Sequence, residues 1–590
     1  MTKTLWIGLL ALASALLAGC SQKVTEIPPP VADTTSLRAL KQGQIVGFQH
    51  HANAAHVWRS VPFAAPPIGD LRWRAPRLAE AWTGIREALD HAPWCPQLRG
   101  RLDDGSSADA IPIGEVMGQE DCLYANIYAP QMDAETAKVA KLPVMMWIHG
   151  GSNVWGRAEQ YDPSALAEKE NVIVVVVQYR LGPLGWFAHE DIRSAAKTVE
   201  DQSANFAILD QIAALDWISE NINTFGGDAD NITIFGESAG GHNVATLITS
   251  QRAAGKFERA IIQSGSFQSV TLEEAETGTP LSAAPIADEL LGAAVTAEGL
   301  RSIPVDEFFA AYTVDIPPHE FEPPRIIEDG VVVPEGGVMS ALGSQETFNA
   351  VPIMTGTNRD ETKLFNILDD RLVRWRFGRI PRARDPDVYD AVSEYQSRMW
   401  RVSAVEKPAA RMAESGHAEV YAYRFDWDDA GKVFGADFSR LFGAAHGLEI
   451  PFVFGQFRFL GSADRWVFTK ENASERLALS SEMMSYWGEF ARSGAPGRGT
   501  TGELPEWRPW SSGAEAPALM FFDSQSGGGT RIEESADSAR MVAEDLFSDD
   551  RLDDEDLTCT VYEATSYWNP ELETHDLGGC LDASLTSEAE

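Results

Sequence analysis

NITIFGESAGG, residues 231–241, runs from an apolar, β-branched stretch into one serine crowded by glycine and alanine. Ile232 to Phe235 have the character of a buried strand. Gly236 stops that run, and Gly240 and Gly241 follow Ser238 at once. Two readings compete. One is an ordinary strand-to-helix turn. The other is a turn too tight for larger neighbours, on which the serine oxygen stands clear of the backbone. The pentapeptide Gly236-Glu237-Ser238-Ala239-Gly240 fits the pattern G-x-S-x-G, which carries a nucleophile when a strand precedes it and a helix follows.

The surrounding sequence supplies that context. Short continuous apolar runs recur at Val144 to Ile148, Val172 to Val177, Ile232 to Phe235 and Ile353 to Thr355. Such runs suit strands covered on both faces. Between the second and third lies a helical pattern, with Phe206, Leu209, Ile212, Leu215 and Ile218 at helical spacing. Strand, helix and strand in alternation predict an α/β fold with a mostly parallel central sheet flanked by helices.

A serine nucleophile needs a base, and the base needs an orienting acid. Eleven histidines compete for the first role. Chain order in α/β-hydrolases runs serine, acid, histidine. His446, in the glycine-flanked loop Gly443-Ala444-Ala445-His446-Gly447, meets that order. His242 lies one turn beyond Ser238 and is expected to point along the following helix. His149 precedes the serine within a glycine run, where a structural role is expected. For the acid, Asn358-Arg359-Asp360-Glu361 follows a predicted strand, and its two adjacent carboxylates are equivalent on this reasoning. Oxyanion donors are expected at the N–H of Ala239 and in the loop His149-Gly150-Gly151-Ser152.

Beyond these sites, the chain resembles the type-B carboxylesterase family, which includes the cholinesterases and bacterial para-nitrobenzyl esterases. The likeness spans roughly residues 43–523. It is carried by Pro66 to Trp73, Glu120 to Tyr124, Tyr179 to Gly182, Asn221 to Asp228 and the Ser238 turn. The resemblance implies an α/β-hydrolase fold and a serine carboxylesterase acting on a small-molecule ester. It places the nucleophile on Ser238, the acid on Glu361, the base on His446, and the oxyanion donors on Gly151, Ser152 and Ala239. It also implies a first disulfide between Cys95 and Cys122, and neither metal nor organic cofactor. Ser152, Asn153 and Thr362 depart from the family's usual residues. The stretch Pro96 to Asp121 lacks the aromatic residue that binds choline in cholinesterases, which argues against a choline ester. The same family contains adhesion proteins that have lost a triad member, so a non-catalytic binding protein is the alternative, and the intact set of residues discriminates against it.

Size, charge and the chain ends complete the expectations. The 590 residues are 44% hydrophobic, enough for a large core, and carry a net charge of -39. That charge disfavours nucleic acid and anionic membrane surfaces as partners. Residues 1–19 read as a signal peptide, because Lys3 precedes a short apolar run from Leu5 to Leu17. Leu17-Ala18-Gly19-Cys20 resembles the lipobox of bacterial lipoproteins, which implies lipidation of Cys20, a membrane anchor and export. Ser21 after the cysteine points to the outer membrane of a Gram-negative cell. Four cysteines then remain, and the most local pairing is Cys95 with Cys122 and Cys559 with Cys580. Residues 20–35 are expected to form a polar tether, 36–547 the catalytic domain, and 548–590 an acidic tail with a disulfide-stapled segment.

Overall fold

The computed structural model describes residues 28–100, 111–312, 325–376, 380–433, 435–513, 516–552, 554–568 and 580. Cys20 and the predicted signal peptide lie outside the described residues. An eleven-stranded sheet organises the chain. In chain order its strands are β1 (Phe48–Gln49), β2 (Ala55–Pro62), β3 (Tyr124–Pro130), β4 (Leu142–Ile148), β5 (Ile173–Val177), β6 (Gly227–Glu237), β7 (Arg259–Gln263), β8 (Ile353–Asn358), β9 (Val420–Phe425), β10 (Ala518–Phe522) and β11 (Arg531–Glu534). Across the sheet the order is β11-β10-β9-β8-β7-β6-β4-β5-β3-β2-β1. The seven strands from β10 to β5 are parallel, and antiparallel strands finish both edges.

Every residue of β4 and β5 is buried. This explains their unbroken apolar runs: helices cover both faces, so neither face can be polar. Alternate residues of β4 enter different cores. Val144, Met146 and Ile148 pack on one side of the sheet, and Met145 and Trp147 on the other. The helix predicted between β5 and β6 is α1 (Phe206–Asn221). It carries Asp210 into the interior, where both carboxylate oxygens accept from the Arg180 guanidinium at 2.7 and 2.8 Å. Asp210 also accepts from the backbone N–H of Arg180 at 3.1 Å. This pair ties the end of β5 to α1.

Helix α2 (Ala239–Thr249) starts directly after Ser238, and α3 (Pro386–Arg401) lies between β8 and β9 in the chain. Near the C-terminus, α4 (Ala539–Phe547) and α5 (Glu555–Ser566) pack on α3 through Tyr395, Met399, Val542, Leu546, Val561 and Tyr562. The described part of the acidic segment beyond Phe547 is therefore docked on the body. Disulfides join Cys95 to Cys122 and Cys559 to Cys580.

The Arg180–Asp210 pair gives a test of this architecture. Replacing Asp210 by Ala leaves a guanidinium buried without its partner. The expected loss is about 3–5 kcal/mol of unfolding free energy, measurable by denaturant titration. An unchanged denaturation midpoint would contradict the role assigned to this pair.

Candidate active site

β6 ends at Glu237, and the backbone reverses at Ser238 with φ 58 and ψ -125. A non-glycine residue in this conformation costs on the order of 1–3 kcal/mol and persists only when its surroundings impose it. Two hydrogen bonds hold the turn. The Ser238 N–H donates to the Gln263 carbonyl at 2.9 Å, and its carbonyl accepts from the His242 N–H at 2.9 Å. The neighbouring glycines are required by space. A Cβ on Gly240 would lie 2.0 Å from the Ile148 carbonyl oxygen, and one on Gly236 would lie 2.6 Å from the Gly240 backbone. The end of β4 and the start of α2 thus approach backbone to backbone, and the partly exposed serine stands at their junction.

The loop after β4 reaches the same junction. A Cβ on Gly150 would come within 3.0 Å of Ser238 Cβ. Gly151, Ser152 and Asn153 all adopt positive φ, at 99, 53 and 60°. This turns successive N–H groups toward one side of the loop. The N–H groups of Gly151, Ser152 and Ala239 have no acceptor among the described residues. Asn153, where the sequence departs from its resemblance, is buried and pinned. Its side-chain oxygen accepts from Asn243 at 3.0 Å, and its carbonyl accepts from the Gly182 N–H at 2.7 Å. Asparagine tolerates the left-handed conformation that this position needs.

His446 is buried, and its Nδ1 lies 2.6 Å from Glu361 Oε2. The other Glu361 oxygen accepts from Ser264 Oγ at 2.5 Å and from the Asn358 N–H at 2.7 Å. The two adjacent carboxylates are therefore separated by geometry. Asp360 turns away to Arg359, Lys363 and the Ala444 N–H. Thr362 is buried, and its N–H and hydroxyl bond to Ser397 and Ser393 on α3, which fixes the loop without the glycine usual there. The other two histidines are engaged elsewhere. His149 bonds to the Gly150 carbonyl and stacks on Tyr179, whereas His242 bonds to the Gln268 carbonyl. Burial pushes both imidazoles down to about 4.

One contact was not anticipated from the sequence. His446 Nε2 lies 3.1 Å from Glu237 Oε1, without the alignment of a hydrogen bond. No hydrogen bond joins His446 to Ser238 Oγ among the described residues. The imidazole thus faces the residue immediately before the serine. Glu449 stands behind, accepting from Gln263 and from Asn358. The glutamate inside G-x-S-x-G was the available signal for Glu237. Glu449 lies three residues beyond His446, and nothing in the sequence distinguished it from a solvated charge. Among the described residues, no group of His, Cys, Asp and Glu is arranged to hold a metal ion.

Comparison with known proteins places the chain among esterases. The Carboxylesterase family model matches residues 34–373 and 370–536. The para-nitrobenzyl esterase of Bacillus subtilis (strain 168) is 34% identical over 494 residues, covering 80% of this chain and 92% of that protein. Cocaine esterase of Homo sapiens is 33% identical over 512 residues, covering 80% of this chain and 85% of its own. Among solved structures, a PNB esterase superposes with a TM-score of 0.65 at 29% identity, covering 86% of this chain and 99% of the other. A carboxylesterase of Geobacillus stearothermophilus gives a TM-score of 0.65 at 29% identity, covering 85% and 98%.

The electrostatics of the site follow from burying three carboxyl groups around one imidazole. Burial pushes the Glu237 carboxyl up to about 8, against the attraction of His446. Glu449 is also raised, first by burial and then by Glu361. For His446, burial opposes the imidazolium most strongly, but Glu237 and Glu361 together outweigh it and raise the imidazole to about 9. Glu237 and His446 titrate as a coupled pair that retains a proton above the ordinary imidazole range of about 6.5. Replacing Glu237 by Gln removes a carboxylate that favours the imidazolium, so the His446 midpoint should fall. Ring-proton NMR titration checks this. A midpoint that stays put or rises in Glu237→Gln would contradict the assignment.

Proposed function

The chain belongs to the Carboxylesterase family, and on that premise we propose that its hydrolysis of carboxylic esters runs through Ser238, His446 and Glu361. As a member it is a serine carboxylesterase. The observation that carries the residue assignment is the 2.6 Å contact between His446 Nδ1 and Glu361 beside the strained Ser238 turn. In this reading Ser238 Oγ attacks the ester carbonyl carbon while His446 Nε2 takes the hydroxyl proton. Nε2 first turns from Glu237 to the adjacent serine. Glu361 holds Nδ1–H, which fixes the tautomer and stabilises the imidazolium. The N–H groups of Gly151, Ser152 and Ala239 receive the negative oxygen of the tetrahedral intermediate. Collapse expels the alkoxide, which takes the proton from His446. Water then repeats the sequence on the acyl-enzyme and releases the acid. His446 carries the proton in each half-reaction, from Ser238 to the alkoxide and then from water back to Ser238.

We also propose that the protein is exported and held to a membrane by lipid on Cys20, as an outer-membrane lipoprotein. The sequence Leu17 to Cys20 supports this reading, as do two disulfides, which suit an oxidising compartment. Among the described residues no helix is long and apolar enough to cross a membrane.

Site variants test the mechanism. With a small aryl ester, Ser238→Ala and His446→Ala should each lower kcat by several orders of magnitude with the fold retained. Glu361→Gln should lower it by about 10⁴-fold, by analogy with the wrong-tautomer effect known for a serine protease. Asp360→Asn should be the milder change at this pair. Greater damage from Asp360→Asn than from Glu361→Gln would overturn the acid assignment.

A further inference from the structure

The matched family region ends at residue 536, yet the chain continues into α4 and α5. This extension is docked by more than apolar packing. Tyr395 on α3 donates to Asp549 at 2.7 Å, and Arg551 pairs with Glu394 at 2.7 Å. The Cys559–Cys580 disulfide ties Cys580 to α5, and Cys580 is buried against the same cluster. The described segment after α5 ends on Trp568, whose carbonyl accepts from Ser403 Oγ at 2.9 Å.

Trp568 lies flat on Trp400, with ring centroids 4.2 Å apart and planes 15° apart. Trp400, near the end of α3, in turn packs 4.8 Å from the His446 ring. Phe365, four residues beyond Glu361, closes the group at 5.5 Å from His446 and 6.4 Å from Trp568. The aromatic column thus runs from the extension to the imidazole. Trp400 has one long polar tie, from its indole N–H to the Gly265 carbonyl at 3.3 Å. A π-helical turn follows at once, Val402–Glu406, where the backbone of α3 departs from regular helix. Irregular turns of this kind cluster at functional sites. The orientation of Trp400 therefore depends on what covers its other face, and Trp568 covers it.

We propose that Trp568 is a positioning residue for His446: the disulfide-stapled C-terminal extension clamps Trp400, and Trp400 restricts the imidazole. The requirement is geometric. The ring must keep Nδ1 on Glu361 while Nε2 turns between Glu237 and Ser238, so its plane has to be bounded without being tied by a further hydrogen bond. An aromatic wall does this, because ring-to-ring packing limits tilt and occupies neither nitrogen. Without Trp568 Trp400 loses its stacked partner, and the wall against the imidazole loosens.

The proposal deepens the assignment of His446 as the base and rests on it. The test uses the full chain and para-nitrophenyl acetate as substrate. In Trp568→Ala, kcat should fall about ten- to a hundredfold, the range expected for misplacing a catalytic group, while KM stays within about twofold. Trp568→Phe should recover most of kcat. Cys559→Ser, which frees the staple, should lie between the two. A wild-type kcat in folded Trp568→Ala would overturn the proposal. So would a raised KM at constant kcat, which marks a substrate wall, or a Phe variant no better than Ala. His446→Ala in the same assay separates the two levels. Hydrolysis surviving His446→Ala removes the base assignment and this proposal together; hydrolysis lost there and untouched in Trp568→Ala overturns this proposal alone.

Discussion

The backbone approach between Ile148 and Gly240 is the contact on which the remaining geometry depends. It brings the end of β4 against the start of α2, and a single Cβ at Gly240 would fill the space. Because β4 and β6 are adjacent parallel strands, with Gly236 opposite Ile148, their C-terminal ends open at the same level. The serine turn and the glycine loop therefore face one point. The strain at Ser238 is offset by this packing and by its bond to Gln263 on β7. Ligand sites at the carboxyl ends of parallel strands are general to open α/β sheets. Here the sheet also delivers the acid loop, since Asn358 ends β8 two strands from β6.

The site also concentrates negative charge in a dry environment. Glu237, Glu361 and Glu449 surround His446, and all four are buried. Isolated buried carboxylates are costly, so Glu237 and Glu449 hold protons that they would release in water, and their neighbour His446 is raised as well. The result is an imidazole biased toward its charged form. That bias suits stabilisation of the imidazolium during acyl transfer, at the expense of the free base before it. Glu361, fixed by Ser264 and the Asn358 N–H, acts on Nδ1, and Glu237 acts on Nε2, so the bias is set from both sides of the ring.

Much of this was legible in the sequence, but unevenly. The apolar runs of β4 and β5 read directly, because burial on both faces leaves no polar alternation to confuse them. The Ser238 turn read directly because only glycine fits its neighbours. Periodicity could not rank Asp360 against Glu361. They are adjacent, and which one faces the histidine depends on the path of the Gly443 to Gly447 loop, a contact 85 residues away in sequence. Glu449 was invisible for the same reason. Its burial comes from Gln263 and Asn358, which belong to other strands. After Phe547 the sequence reads as an acidic tail with a stapled segment, with no sign of where it packs. Val561 and Tyr562 of α5 dock it on α3, with Thr558 and Thr565 buried on the same helix.

Covalent trapping tests the central claim most directly. A fluorophosphonate mimics the tetrahedral intermediate and reacts only with an activated nucleophile. Peptide mapping of the labelled protein by mass spectrometry should find one adduct, on Ser238, and none after His446→Ala. An adduct on another serine, or an unlabelled protein that still cleaves esters, would contradict the account.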